Sequence, residues 1–598
     1  MFVKQNKSWK GTLLTFTIGY RENGKVKHKN VETIGYLDDL KKEYDDPITH
    51  FKEIAKERSN SEINELIIKN LHSQVIDDNN SNKNLGYIAL KSIYNELGLE
   101  TLFKSNQKSL KIQYSINDIV SMLVYMRVLN PSSKKFAYEN MNILFEEYDF
   151  SRDDMYRCLS IINGLKNQIE KVMWEKTKDK YQRDTTCSFY DCTNYYFEIE
   201  YNDDDVYESD KKGNPVLVSK GLRKRGPEKN HRPDPIVEMG LLMDKNGIPL
   251  SYNLFPGNES EKLTLIPIVK KTTNSFNLGR TIVVADRGLN TSDNIIKIAG
   301  ISLEQAQKLN GYVYGQSVRG ADDEFKSWIL KKDYITEHIK NDYDENITFI
   351  HKSRMFPKPL KVLREDKGKT KCGNNKYQTI LVDQKQMVYY SQKYADKQKR
   401  DRDMILIKAK DLIANPIKYK RSTSYGVAGY VENLTFVKET GEIADASNLK
   451  LNEERIKEEE KYDGYYSIVT SEEKLSDVEI RNIYRGLSKI EETFKVTKTG
   501  LEARPVWVSR QDHIESHFLT CFIALVIIRL LEQKLNHEFS FKKIIDTIRN
   551  YTSTKLDHDI YIQNFKNDVT DNIGEKLAID LNKKYRSLSE IKKILKNL

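Results

Sequence analysis

Three carboxylates stand where an acid is costly unless it has work to do: Asp191, Asp286 and Glu491. Asp191 follows a largely apolar approach (Cys187-Ser188-Phe189-Tyr190) and precedes Thr193 and an aromatic strand over 195–199, the pattern of a hairpin whose first strand ends on Asp191 at a sheet's edge. Asp286 ends the β-branched run 281–285 and is followed at once by Arg287-Gly288. Either aspartate, taken alone, is equally a turn-former. Glu491 lies seven residues from Tyr484 and seven from Lys498. Each heptad step around a helix drifts by only ~20°, so these three polar groups share one narrow stripe. Leu487, Ile490, Phe494 and Leu501 border the stripe with an apolar edge. The plain reading is an amphipathic surface helix with a Glu/Lys ladder. The chemical reading is a carboxylate presented to a cleft. Two metal ions ~3.5–4 Å apart need several hard oxygen ligands at one place, which strand ends and a facing helix can supply. Such a pair activates a water or a 3′-hydroxyl on one side and stabilises a leaving oxygen on the other, which is phosphodiester chemistry.

The elements that must position these acids follow from the hydrophobic pattern. Residues 236–258 read as two long strands joined by Asp244-Lys245-Asn246-Gly247, with a helix over 260–271, a strand over 281–285 and another over 311–320. Residues 321–480 are expected to be a mostly β insertion that ends in a charged helix at 453–461 and a strand at 463–471. An apolar helix is expected over 513–535, and a charged helical tail over 541–598. At the N-terminus, residues 1–40 alternate around Glu22-Asn23-Gly24 as a β-hairpin or small sheet, with Lys25, Lys27, His28 and Lys29 on its second strand. A helix over 46–71 and a linker over 77–83 lead to the helical block 84–180, in which a buried helix over 119–129 stops at Asn130-Pro131. The expected divisions are 1–80 (hairpin and helix, a DNA-binding candidate), 84–180 (helical, DNA binding or dimerisation), 181–320 with 481–540 (catalytic), 321–480 (insertion) and 541–598 (tail).

Composition narrows the class. The chain has 598 residues, with 97 basic and 87 acidic side chains and a formal net charge of +10, so positive charge must be local to matter. A local candidate is the loop carrying Arg223, Lys224, Arg225, Lys229, His231 and Arg232. The five cysteines are scattered without a CxxC pair, against a zinc ribbon or a disulfide framework and in favour of a reducing cytosol. No signal-peptide pattern opens the chain, and the longest apolar run, 518–528, is shorter than the ~20 residues of a span. A soluble intracellular protein is expected, and the resemblance described next implies that it works in the bacterial cytoplasm, associated with the nucleoid.

At these residues the sequence resembles the DDE transposases of bacterial insertion sequences, in the branch marked by Tyr-x2-Arg-x3-Glu-x6-Lys around the third acid. Tyr484, Glu491 and Lys498 match at every spacing, while the arginine position is Leu487. A sub-branch with leucine there continues into LxxRPV, as IEETFKVTKTGLEARPVWV does here, and FYDCTNYYFE, GIPLSYNLFPGNESE and VVADRGLNT occur in the right order. The resemblance covers about residues 185–535. It implies an α/β fold with a ribonuclease-H-like catalytic core interrupted by the insertion, and an enzyme that cuts element ends and joins them to target DNA. It implies that Asp191, Asp286 and Glu491 bind two Mg²⁺ ions, or Mn²⁺ in their place. It also implies that Tyr484 and Lys498 touch the terminal DNA, that Arg485, Lys495 or Arg504 serves for the missing arginine, and that Arg287 with Arg223, Lys224, Arg225 and Arg232 contributes further contacts. The implied partners are double-stranded DNA, as terminal inverted repeats and target, and a second copy of the chain. A nuclease without strand transfer and a DNA-binding protein without catalysis are the alternatives. His231, His513 and His517 read as structural rather than as DNA contacts.

Overall fold

The alternation near the N-terminus becomes a three-stranded antiparallel sheet of Phe2–Ser8, Gly11–Glu22 and Lys25–Tyr36. A helix, Pro47–Ser61, brings Phe51 against Phe16 with ring centroids 6.2 Å apart. This computed structural model describes every residue except 23–24, 62–81, 211–212, 228–232, 300–309, 341–344, 364–376, 425, 445–447 and 557–558. The described chain falls into two units, Met1–Asn79 and Asn80–Leu598. The end of the helix expected over 46–71 and most of the expected linker lie outside the described residues. The last linker positions belong instead to a strand, Asn82–Asn84.

The second unit is built on a nine-stranded mixed sheet. In spatial order its strands are Ile335–Lys340, Asn346–Leu363, Tyr377–Tyr390, Tyr465–Thr470, Gly311–Gln316, Ile282–Ala285, Cys187–Tyr196, Ile236–Asp244 and Pro249–Pro256. Gly311–Gln316, Ile282–Ala285 and Cys187–Tyr196 run parallel, and the other neighbours pair antiparallel. Side chains on the parallel strands alternate between two buried faces. Tyr190, Val283, Ala285, Tyr312 and Tyr314 join one core with the helices Leu265–Phe276 and Ser292–Ala299. Phe189, Val284 and Val313 join the other with Ile480 of the helix Asp477–Arg485. Burial on both faces explains why these strands read as continuous apolar runs in the sequence.

A third core surrounds the helix Gln511–Lys534, which is long and apolar enough to cross a membrane yet is buried among Ile88–Glu96, Ile116–Leu129 and Arg152–Gly164. Ser115 caps the helix at Ile116, and Ser151 with Asp154 forms a capping box on the helix at Arg152. These caps fix where each helix enters the bundle.

Two expectations need correction. The stretch 321–480 is not mostly β, because Gln392–Ala414 is a 23-residue helix whose charged side chains hide its weak apolar stripe. Its long strands extend the main sheet. The C-terminal stretch is not a helical tail: Thr552–Leu556, Ile560–Gln563 and Tyr585–Ser587 form a four-stranded sheet with Asn82–Asn84. Strands this short carry too few alternations to be seen in the sequence, and the edge partner of Thr552–Leu556, Asn82–Asn84, lies more than 460 residues away.

Candidate active site

The first two acids come from adjacent parallel strands. Val284 pairs with Phe189 in the parallel ladder; Asp286 follows directly on the end of its strand at Ala285, at the carboxyl side where open α/β sheets place their ligands, while Asp191 lies two residues beyond Phe189 within the continuous strand Cys187–Tyr196, inside the sheet and not at the end of a hairpin strand on its edge as expected. Asp191 is half-buried, and its Oδ1 accepts the Cys192 N–H at 2.8 Å. Asp286 is exposed and caps the short turn Arg287–Leu289, accepting the Gly288 N–H at 2.8 Å. Asn290 fastens that turn to the neighbouring strand by donating to the Gly315 carbonyl at 3.0 Å.

The third acid arrives on a helix that is not uniform. The segment expected as one helix consists of Asp477–Arg485, a tight join at Gly486 and Leu487, the helix Ser488–Lys495 and a π turn, Val496–Gly500. Gly486 lies on Phe189, so close that a Cβ there would sit 2.2 Å from the ring. Only glycine lets the join approach the Asp191 strand. Leu487, at the expected arginine position, packs between the two cores. Glu491 is exposed in the first turn of its helix.

Tyr484 and Lys498 tie this helical segment to the strand ends. The Tyr484 hydroxyl lies against Gly315, where a Cβ would meet it at 2.4 Å. Burial, and next the Asp286 carboxylate, push the Tyr484 phenol up to about 12, with Glu491 adding in the same direction. Tyr484 therefore senses both acids. The π turn widens the helix and carries Lys498 to the Thr193 hydroxyl, to which its ammonium donates, 5.7 Å above the Tyr195 ring. The Tyr195 hydroxyl in turn hydrogen-bonds Thr497 at 2.7 Å. Asp191, Thr193 and Tyr195 alternate to one side of their strand, and the Glu491 helix packs on that strand. Among the described residues, no three acid, histidine or cysteine side chains are already gathered as metal ligands.

Beside Asp286 opens a cleft of about 260 Å³, lined among others by Arg287, Tyr394, Tyr465, Tyr466 and Tyr484. Tyr394 stacks on Tyr466 with centroids 3.9 Å apart. The tyrosines at 394, 465 and 466 were not singled out in the sequence, although the run Gly464-Tyr465-Tyr466 within a strand marks the place.

The basic candidates divide. Arg287 is exposed at the cleft and Lys495 is exposed on its helix. Arg485 sits beside Tyr389, where its charge opposes the rise that burial imposes on that phenol. Arg504 lies 5.2 Å over the Tyr196 ring. Arg223 is bonded through Nε to Asp203 at 2.8 Å, Lys224 pairs with Asp205 at 2.9 Å, and Arg225 donates to the Glu200 carbonyl at 2.8 Å. That loop therefore spends much of its charge on its own acids. Lys229, His231 and Arg232 lie outside the described residues. His517 is buried, 3.1 Å from the Ala503 carbonyl, and His513 stacks on Tyr156.

Two family models match the chain. One, described as the IS1634 family transposase N-terminal domain, matches residues 3–65. The other, the transposase DDE domain, matches residues 232–527, which include Asp286 and Glu491 and leave Asp191 outside. The second match defines the class, that of transposases and related nucleases with a DDE domain. The chain belongs to the insertion-sequence DDE transposases. Among solved structures it is similar to a cryo-EM structure of the piggyBac transposase synaptic complex with hairpin DNA, at 8% identity over 78% of this chain and 79% of that one. The TM-score of 0.31 is too low for that likeness to carry an argument. No curated protein matches the chain.

Proposed function

We propose that this transposase binds the terminal inverted repeats of its element and catalyses metal-dependent cleavage and strand transfer, with Asp191, Asp286 and Glu491 as the catalytic acids. The observation that carries the reading is that Asp191 lies on, and Asp286 directly follows, two adjacent parallel strands, while the helical segment bearing Glu491 packs on the Asp191 strand and is tied to the strands by Tyr484 and Lys498. Five strands support a ribonuclease-H-like core: Pro249–Pro256, Ile236–Asp244 and Cys187–Tyr196 antiparallel, then Ile282–Ala285 and Gly311–Gln316 parallel to the last of these. Residues 181–320 and 481–540 would make up this catalytic part, and the helical block 84–180 would contribute to DNA binding or to pairing of two copies.

The donor set suits a hard divalent cation, since it offers only carboxylate oxygens. Asp191, Asp286 and Glu491 are the residues that would hold it. Bound there, two Mg²⁺ or Mn²⁺ ions would supply an activated water or 3′-hydroxyl and a stabilised leaving oxygen. The chain's own side chains do the rest. Tyr484 keeps its proton at every physiological pH and can donate it to a phosphate oxygen. Lys498, steered by Thr193, sets a positive charge beside the Asp191 strand. Arg287 extends that charge along the cleft.

The test uses purified protein, Mg²⁺, a duplex carrying the element end and a target plasmid. Cleavage and joined products are expected, and Asp191→Asn, Asp286→Asn and Glu491→Gln should each reduce both on the order of a thousandfold. Cleavage that survives these substitutions removes the site assignment. Cleavage without joining, on pre-nicked ends as well, makes the protein a nuclease.

A further inference from the structure

Beyond Tyr196 the strand that carries Asp191 leads into an arm, a two-stranded hairpin of Val206–Ser209 and Pro215–Ser219. The root of the arm is fastened. Asp203 and Asp205 on its first leg pair with Arg223 and Lys224 on its second, and Lys220 reaches Glu259 at 2.8 Å. Past the root the arm is open, with Val206, Tyr207, Val216, Leu217 and Val218 between 42% and 57% exposed. Glu208 pairs with Val216 across the ladder and Val206 stands two residues from Glu208, so one face offers two valines beside an acid, while Tyr207 and Leu217 share the other. A two-stranded hairpin on its own is only marginally stable in water. An arm held at its root has little freedom left to lose on binding, which favours a partner along its apolar strands.

The helix Gln392–Ala414 carries a matching surface. On its inner side Ala409 and Leu412 pack with Tyr430 and Val431, and Arg402 donates to Asp463 at 2.7 Å. On its outer side Lys397, Arg400, Met404 and Ile407 follow a three-and-four spacing and share one stripe, with Lys408 one turn beyond Met404. Met404 and Ile407 are each 61% exposed among those cations. Charge runs in opposite directions on the two surfaces. Residues 203–219 hold five acids and two lysines, whereas the helix holds seven bases and four acids. An acidic arm is repelled by the phosphates of DNA, and an exposed methionine and isoleucine mark a contact with protein. Within one copy both surfaces stay exposed, so the arm does not cover its own helix. A second copy related by a two-fold axis brings each surface its complement, and does so twice. Two such contacts cover on the order of 1,200 Å², the lower end of what specific pairs bury.

We propose that two copies of this chain pair by laying the arm of each, with Val206, Val216 and Glu208 foremost, across the Met404 and Ile407 stripe of the other, so that Arg400 and Lys408 face Glu208. The inference goes beyond the function proposed above and places a pairing surface outside residues 84–180. The same helix presents Tyr394 to the cleft beside Asp286, so pairing braces one wall of each copy's cleft with an arm that springs from the other copy's Asp191 strand.

The full-length chain is followed by sedimentation and light scattering over a range of concentrations, where a mass near twice 69.8 kDa is expected. Glu208→Lys and Arg400→Glu should each weaken association about tenfold, and the two changes in one chain should restore most of it, because opposite charges face each other again. Thermal melts check that the variants fold, and restoration by a second substitution is not open to a misfolded chain. Under mild oxidation, a mixture of Val216→Cys chains with Ile407→Cys chains should give a disulfide-linked pair that neither chain gives alone. A chain that stays monomeric at every concentration overturns the proposal, as does a pair whose mass neither charge reversal alters, or one linked only between two Val216→Cys copies. Arg400→Glu that lowers affinity for duplex DNA and leaves the mass unchanged also overturns it, and assigns the helix to DNA. None of the substituted residues lines the cleft beside Asp286. Cleavage of end DNA by an unpaired chain therefore leaves the transposase reading standing with this pairing excluded, and a paired chain that cuts nothing does the reverse.

Discussion

Thr193 supplies the hydroxyl that sets where the Lys498 ammonium sits, two residues beyond Asp191 on the same strand. Thr193→Val should therefore lower end cleavage about tenfold, the scale typical of partners that orient a reacting group, while Thr193→Ser retains it. Equal loss in both variants, measured as initial cleavage rates, would mean that the methyl group matters and the hydroxyl does not. Lys134 is a second residue with a consequence of its own. It is 3% exposed, its Nζ has no hydrogen-bond partner, and burial, with Arg127 nearby, lowers it to about 7. Its folded value lies below its unfolded value, so the unfolded chain binds the extra proton between about pH 7 and 10.5, and stability contributed at this site rises with pH across that window. Lys134→Met should flatten this rise and stabilise the protein at pH 7 by about 1–3 kcal/mol, as followed by thermal melts at pH 6, 7 and 9. Asp191, Asp286 and Glu491 stand out in the sequence because each ends or borders an apolar run. The bond from Lys498 to Thr193 and the stacking of Tyr394 on Tyr466 do not, because a local pattern, even one as plain as Tyr465-Tyr466 on a strand, does not show which distant side chain lies against it.

The join at Gly486 belongs to the scale of elements. Gly486→Ala drives a methyl group into the Phe189 ring, and overpacking of this kind costs about 1–3 kcal/mol. Phe189→Leu in the same chain should recover part of that loss, and a double-mutant cycle on melting temperature measures the coupling. Two additive losses would place the strain elsewhere. The stripe through Tyr484, Glu491 and Lys498 suggested one regular helix, whereas the structure breaks it once and widens it once. Periodicity shows which residues share a side; it does not show where a helix must bend to reach a strand. The central helix was legible almost to the residue, observed as Gln511–Lys534 against an expected 513–535, because apolar residues fill its whole circumference.

At the scale of the whole molecule, the C-terminal residues are structural. The strand Thr552–Leu556 pairs with Asn82–Asn84, and Asn84 donates to the Ile548 and Arg549 carbonyls at 2.9 Å. A chain ending at residue 550 should lose the four-stranded sheet, uncover Tyr561, Val569 and Ile591 contacts with the helical core, and melt lower or aggregate, as seen by circular dichroism and size-exclusion chromatography. An unchanged melt would show that this sheet only decorates the fold. The sequence concealed this closure because pairing across so many residues leaves no local mark. The burial of Gln511–Lys534 also governs how the protein comes into being. The helices Ile88–Glu96, Ile116–Leu129 and Arg152–Gly164 have no core to pack on until that segment has been synthesised some 350 residues later. During translation at ~5–20 residues per second, their apolar faces stay uncovered for tens of seconds, a window in which chaperones rather than tertiary contacts guard the nascent chain.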